Sequence, residues 1–264
     1  MKLDTHVHSR ASDDGSMSIA AIARWAYCRG LTAVAVCDHN TTAAFAELER
    51  QNRVGGGALL IRGCEFSTEI GHVIGLFVPF GIEHAIPRGA KGCYDSADVL
   101  RAVQEAGGLC IWAHPCKGPG ADRVRELAPR FDLVEGYNGR SAVTRKGDLN
   151  AAFQREVEGL DVRLLAASDS HRRAELGATY TEFDCPAPLN GWTEQAVRDL
   201  LLHTRGQMNG SPSWPWHEGM SQLQKALCGR SLCEAAKALA KIGWGVWVRF
   251  RPTAASNQSN GGKK

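Results

Sequence analysis

The chain has 264 residues, enough for one large domain or for one domain with an appendage. With 44% hydrophobic and 22% charged residues it has a globular composition, which excludes a wholly disordered chain. No apolar run reaches the about 18 residues of a membrane helix, and Met1–His6 carry no signal-type apolar stretch.

The net charge of +3 hides an asymmetry: residues 221–264 carry +7, which leaves −4 for the rest. An acidic body suits cation binding, and a basic tail suits phosphate or nucleic acid. The nine cysteines are an odd, scattered set with no C-x-x-C pair. They read as reduced thiols, so the expected location is cytoplasmic.

In chain order, short apolar runs alternate with helical patterns. His6-Val7-His8 reads as a strand, followed by a helix over Ser18–Arg29 that Gly30 stops. Runs follow at Leu31–His39, Ala58–Ser67, His72–Val78, Gly108–His114, Leu133–Asn138 and Val162–His171. Each has the length and Val/Ile/Leu content of a buried strand. Helices are predicted over Asp98–Ala106 and Thr193–His203. This alternation predicts an α/β fold on a mainly parallel sheet, open or closed into a barrel. Past Gly210, Ser211–Trp216 reads as an extended loop and Met220–Ile242 as an amphipathic helix broken near Gly229. Gly55–Gly57 lacks a phosphate-loop pattern and reads as a flexible loop.

The polar residues cluster at the C-terminal ends of the apolar runs: Asp38-His39, Glu65, His114, Asn138 and Asp169-x-His171. That edge carries the active site in α/β barrels. Six of nine histidines sit near acids: His6, His8, His39, His72, His114 and His171. On a strand, residues i and i+2 face one side, so His6 and His8 project together as a bidentate grip requires. Asp169-Ser170-His171 repeats the device. Mixed His/carboxylate sets suit Mn²⁺, Fe²⁺ or Zn²⁺. Cys37 and Cys64 adjoin these residues but read as packing residues. Asp38 reads as a residue that orients His39 or caps a turn. Ser168 and Ser170 lack a nucleophile elbow and read as turn hydroxyls.

This ordered set resembles the polymerase and histidinol phosphatase (PHP) family of metallophosphoesterases. The motifs are H-x-H…D at His6, His8 and Asp13 or Asp14; Asp38-His39, then Glu65 and His72; Ala113-His114-Pro115; and Ser168-Asp169-x-His171. The resemblance covers residues 1–210. It implies a distorted seven-stranded (β/α) barrel with two to three divalent metal ions. It implies His6, His8, Glu65 and Asp169 at one metal; a loop aspartate, His39 and His171 at a second; and His72, His114 and Glu65 at a third. Asp14 stands six residues after His8 and Asp13 five, and Asp14 is the favoured choice. Residues 211–252 are expected as a helical, aromatic extension and 253–264 as a disordered tail.

The expected activity is hydrolysis of a phosphate monoester of a small metabolite or nucleotide through a metal-activated hydroxide. Asp169, His171 and His39 are the catalytic candidates. Arg140, Arg10 and Asn138 are candidates for binding substrate. The alternatives are a nuclease trimming nucleic-acid ends, or a non-catalytic metal-binding regulatory module. Trp244, Trp247, Arg249 and Arg251 interleave aromatic and basic residues, which suits either stacking on bases or docking the tail onto the barrel, the second reading being preferred. A small phosphorylated substrate is the expected partner, nucleic acid is not favoured, and no membrane association is expected.

Overall fold

The computed structural model describes residues 1–46, 57–89, 92–188 and 191–251. Gly55, Gly56 and the tail from Pro252 lie outside the described residues. Among the described residues nine strands form one sheet: β1 (Lys2–Val7), β2 (Ala33–Val36), β3 (Leu59–Thr68), β4 (Gly71–Leu76), β5 (Leu109–Ala113), β6 (Leu133–Asn138), β7 (Leu164–Ala167), β8 (Thr179–Glu182) and β9 (Gln207–Gly210). Their spatial order is β7-β6-β5-β4-β3-β2-β1-β8-β9.

The sheet curls until it nearly closes. Val7 bridges Ser170 just beyond β7, with His8 N donating to Ser170 O at 2.8 Å. Lower down, the Thr181 hydroxyl accepts from Ala166 N at 2.8 Å and donates to Ala166 O at 3.1 Å.

β1 to β7 are the seven expected strands, and β8 and β9 extend the sheet beyond β1. Their sequences, Thr-Tyr-Thr-Glu and Gln-Met-Asn-Gly, contain no apolar run to betray them. The sheet is also less parallel than expected. β4 runs antiparallel to both β3 and β5. Only Glu69 and Ile70 separate β3 from β4, and a parallel crossover needs a dozen or more residues. A hairpin is therefore the sole solution, and it puts the first residues of β4 at the edge where the parallel strands end.

The helices are α1 (Ile19–Cys28), α2 (Ser96–Glu105), α3 (Val124–Leu127), α4 (Leu149–Glu156), α5 (Glu194–His203), α6 (Pro215–Cys228) and α7 (Leu232–Phe250). Side-chain caps start several of them. Ser18 accepts from Ala21 N, Asp95 from Ala97 N and Asp98 N, and Thr193 from Ala196 N. α1 buries Ile19, Ile22, Ala23 and Ala26.

Period-two alternation splits the strand side chains. Cys64, Phe66, Val73, Trp112 and Val134 face an outer layer with Val99 and Val103 of α2 and Phe153 of α4. Ile61, Ile74, Ile111, Leu133 and Leu165 form a second cluster, into which α5 inserts Val197 and Leu201. Along β3, β4 and β6 that second face continues from apolar residues to Glu65, His72 and Glu135, as the period of two requires. One end is thus filled with hydrocarbon and the other with titratable groups.

The C-terminal segment forms the hairpin α6–α7, broken at Gly229–Ser231. The extended reading of 211–216 ends early, because Pro215 opens α6 at the first helical position, where a missing N–H costs nothing. α7 continues through Gly243 and Gly245 to Phe250. The glycines permit close helix contact. A Cβ on Gly219 would lie 2.7 Å from Ile242 Cγ1, and one on Gly245 would lie 2.5 Å from Trp216 N.

Candidate metal centre

His6 and His8 leave the end of β1 on one face, with their Nε2 atoms 2.9 Å apart. Each ring is held from behind. His6 Nδ1 donates to Glu135 Oε1 at 2.7 Å. His8 Nδ1 donates to Ser12 Oγ at 3.3 Å, and Ser12 in turn donates to Asp38 Oδ1 at 2.8 Å. Tying Nδ1 to an outer acceptor aims Nε2 at the centre, as metal-ligating histidines are held.

Glu65, at the end of β3, is the hub. Its Oε1 lies 2.7 Å from His72 Nδ1, 3.2 Å from His114 Nε2 and 3.3 Å from His6 Nε2. Its Oε2 lies 2.7 Å from His39 Nδ1 and 3.3 Å from His8 Nε2. Burial acts to raise this carboxyl, but His72, His39 and His6 outweigh it and hold the group well below the usual carboxylate range.

Asp169 Oδ1 stands 3.6 Å from His8 Nε2, 3.8 Å from His6 Nε2 and 3.5 Å from His171 Nδ1. Burial raises it too, and His6, His171, Arg140 and Lys117 pull it down further than burial lifts it. Asp169 and His114 both adopt positive φ, at 55° and 30°. Non-glycine residues persist there when their surroundings impose it, and such strain clusters at functional sites. His114 N is held by Glu135 Oε2 at 2.8 Å, and Ser168, just before Asp169, is held by both oxygens of Asp4. Burial pushes Asp4 up to about 7 against those bonds.

Of the two loop aspartates, Asp14 turns inward. Its Oδ2 lies 3.5 Å from both His39 Nε2 and His171 Nε2, while Asp13 is exposed. The loop is tightly wound. Asp38 accepts from Ser9 N, Ser9 Oγ and Ser12 Oγ, so it caps this turn and leaves His39 to other partners. Gly15 is obligatory here, since a Cβ would fall 1.8 Å from Ser9 O.

All nine expected metal residues therefore converge. Four triplets of donor atoms lie within 4.8 Å of one another: His8/His39/His171, His6/His114/Asp169, His6/His8/Glu65 and His39/Glu65/His72. The triplets overlap: two of them share Glu65, and His6, His8 and His39 each belong to two. Asp14 Oδ1 and His114 Nδ1 are buried with no hydrogen-bond partner. A donor set of imidazoles and carboxylates with uncommitted buried atoms fits hard-to-borderline divalent cations.

Above the cluster lies a cleft of about 410 Å³. His39, Glu65, His72, His114, Asp169 and His171 line it, together with Lys117. Its far wall is α6, through Glu218, Ser221 and Gln222. α6 also grips the first loop, with Gln224 Nε2 donating to Gly15 O at 2.8 Å and to Asp13 O at 3.2 Å.

The expected substrate-binding residues are placed differently. Arg140 borders the cleft, but its Nε and Nη2 each bond Glu175 at 2.8 Å, and Nη2 also bonds Ser221 Oγ at 3.0 Å. A buried guanidinium needs such a carboxylate, so most of its fork is committed inside the protein. Asn138 is fully buried and donates to Glu135 Oε2 at 2.8 Å, so it positions other residues and does not line the cleft. Arg10 is exposed and lines a separate depression with Ile19 and Ala43.

Glu135, Glu175, Lys117 and Glu218 were not singled out by motif. Glu135 had a readable signal, a carboxylate inside the apolar run Leu133-Val-Glu. The tail tryptophans divide. Trp244 faces a second pocket, Trp247 is exposed, and Trp214 stacks on Trp216 with centroids 5.6 Å apart. All nine cysteines are free. Among the described residues no helix is long and apolar enough to cross a membrane.

No protein-family model matches this chain. An uncharacterised protein of Methanocaldococcus jannaschii is 32% identical over 164 residues, spanning 57% of this chain and 87% of that protein. A 5′-3′ exoribonuclease of Haemophilus influenzae is 39% identical over 79 residues, 28% of each chain. In fold, the chain is similar to a two-domain protein of Bacteroides vulgatus described as containing a predicted PHP-like metal-dependent phosphoesterase. The TM-score is 0.58 at 20% identity, covering 80% of this chain and 64% of that one. Ordered motifs and barrel agree: the chain has a PHP-like fold, and the archaeal protein is a relative over most of its own length.

Proposed function

We propose that this protein is a metal-dependent phosphoesterase that hydrolyses a phosphate monoester of a small metabolite or nucleotide. The observation that carries the reading is the convergence of eight imidazole and carboxylate side chains around the buried Glu65, on the floor of an open cleft. Two or three divalent ions, Mn, Fe or Zn, are the cofactors this set suits. His6, His8, Glu65 and Asp169 would hold one. Asp14, His39 and His171 would hold another, and His72 and His114, with Glu65, a third. Metal ions in such a site lower the pKa of water and neutralise charge on phosphoryl oxygens.

The protein's own groups supply the rest. Glu135 and Ser12 fix the imidazoles of His6 and His8 from behind. Lys117 stays cationic at the cleft wall, since Glu218 and Asp169 outweigh the burial that acts to lower it. Its ammonium meets the non-bridging oxygens of a bound phosphate. The leaving oxygen takes its proton from water in the open cleft, since the nitrogens of His39 and His171 that face Asp14 are the ones the second metal would take.

Phosphate release from a panel of phosphomonoesters in Mn²⁺, with Asp169→Ala as control, tests the reading. Release from one class, lost in the variant, supports it. Full activity in Asp169→Ala, or no release by metal-loaded protein, overturns it. The local similarity to an exoribonuclease favours trimming of nucleic-acid ends as a second reading. Cleavage of 5′-phosphorylated oligonucleotides without phosphate release from monoesters would establish that one.

A further inference from the structure

Beside the metal cleft lies a second pocket of about 500 Å³, and the two share Lys117, Glu218 and Gln222 as a common wall. Its lining is strongly basic. Lys117, Arg145, Lys146, Lys237 and Lys241 face it, against the single carboxylate of Glu218. That carboxylate is already engaged from both sides, with Lys241 Nζ at 2.7 Å and Lys117 Nζ at 3.4 Å. Lys237 pairs with Glu234, which lies outside the pocket. The pocket therefore keeps a net surplus of positive charge within reach of the reaction centre. A concave site lined by one sign of charge concentrates the opposite ion. It also has a flat wall, where Trp244 carries the Arg145 guanidinium 5.6 Å from its ring centroid.

We propose that this pocket is a subsite for a second phosphate of the substrate, so that the favoured ester carries one phosphate at the metals and another against Arg145 and Lys146. The assignment rests on the phosphoesterase reading for its first phosphate. Three features carry it. The shared wall makes the two pockets neighbours that a single small molecule can occupy together. The cation surplus is matched to a dianion and not to a neutral group. The Trp244 ring, over which the Arg145 guanidinium lies, holds that cation at the pocket wall. Three of the six groups, Lys237, Lys241 and Trp244, come from α7, so the C-terminal hairpin is what makes the subsite. The second phosphate has two possible sources: a compact bisphosphorylated metabolite, or the next phosphodiester of a nucleic-acid end.

The test compares wild type with Arg145→Ala/Lys146→Ala, both exposed positions at which the fold is expected to survive, checked by circular dichroism. Four probes are hydrolysed in Mn²⁺: p-nitrophenyl phosphate, a hexose bisphosphate, a nucleoside 3′,5′-bisphosphate and a 5′-phosphorylated dinucleotide. For wild type, KM for a bisphosphorylated probe is expected to be about tenfold or more below that for p-nitrophenyl phosphate, a difference of ~1.4 kcal/mol. In the double variant that advantage is lost through KM with kcat kept, while p-nitrophenyl phosphate turnover is unchanged. An advantage confined to the dinucleotide identifies a nucleic-acid end as the source, and one shared by the small bisphosphates identifies a metabolite. No advantage in wild type, or one that survives the double substitution, overturns the subsite.

If no probe is hydrolysed, the phosphoesterase reading fails separately. The subsite is then judged by calorimetric titration of the nucleoside bisphosphate into both proteins at low and high salt. Salt-sensitive binding lost in the double variant upholds it, and absence of binding overturns it.

Discussion

The barrel rim and the C-terminal hairpin bury opposite things. At the rim, charge is hidden: Glu65, Glu135, Asp169, Arg140 and Glu175 are all nearly inaccessible. In the hairpin, the smallest residues are hidden. α7 turns Ala238 and Gly245 inward, while Leu232 is 87% exposed and Phe250 74%. Burying ionised groups costs several kcal/mol each unless partners compensate, roughly speaking. The rim meets that cost for these four carboxylates by pairing each with imidazole or guanidinium, and it gains a shaped electrostatic site. The hairpin gains close helix contact through glycine, at the expense of hydrophobic burial. Rigidity at the rim comes from polar connectivity, and the hairpin contributes a wall.

The contrast can be broken most severely at its hub. Glu65→Gln removes the carboxylate that five histidines face. Turnover should fall by at least about 10³-fold, the upper range for losing one electrostatic group, and metal content read by mass spectrometry should fall with it. Retained metal at wild-type stoichiometry would show that Glu65 is not the organiser.

The next effect belongs to the residue behind His6. Glu135→Gln should lower metal affinity or activity about 10–100-fold with the fold kept, the usual cost of losing an outer partner. Competition with a chelator measures it.

Across the boundary between the regions, Gln224→Ala deletes the two bonds that hold the Asp14 loop. A stability loss of about 1 kcal/mol is expected in denaturant titration, with a larger proportional loss of activity. Stability lost with activity untouched would leave the hairpin as a bystander.

A pH signature lies in the same wall. Burial works to raise Glu218, but Lys117 and Lys241 bring it down to about 2, against an ordinary 4.5. A depressed carboxylate stabilises the fold above its unfolded pKa and loses that contribution as pH falls through its folded pKa. Wild type should therefore exceed Glu218→Gln in stability at neutral pH, and the gap should close between about 4.5 and about 2. A gap independent of pH would show that the ion pairs contribute nothing.

The smallest effect is expected on the open face of α7. Leu239 is 57% exposed, so Leu239→Ser should change stability by no more than about 0.5 kcal/mol. A loss above about 2 kcal/mol would mean that this face is covered.

Much of the site was legible because metal-ligand chemistry constrains residue type and spacing together. His6-Val-His8 and Asp169-Ser-His171 need a strand's period of two, and both pairs meet where that period sends them. Arg140 lines the cleft, but its pairing with Glu175 was not legible, because a guanidinium after a strand end looks the same whichever group it meets and Glu175 lies 35 residues away. β8 and β9 escaped because their stability comes from pairing at a sheet edge and not from an apolar pattern.

By itself, then, the sequence determined the strand–helix alternation, the residues that ring the site and the likeness to the PHP family. These follow from local periodicity and from side-chain chemistry, which the chain carries at every position. Only the tertiary structure decided that Asp14 turns inward and Asp13 outward, that Glu135 stands behind His6, and that α6 walls the cleft. Each depends on which distant groups meet in space, and that is set by how the nearly closed sheet curls.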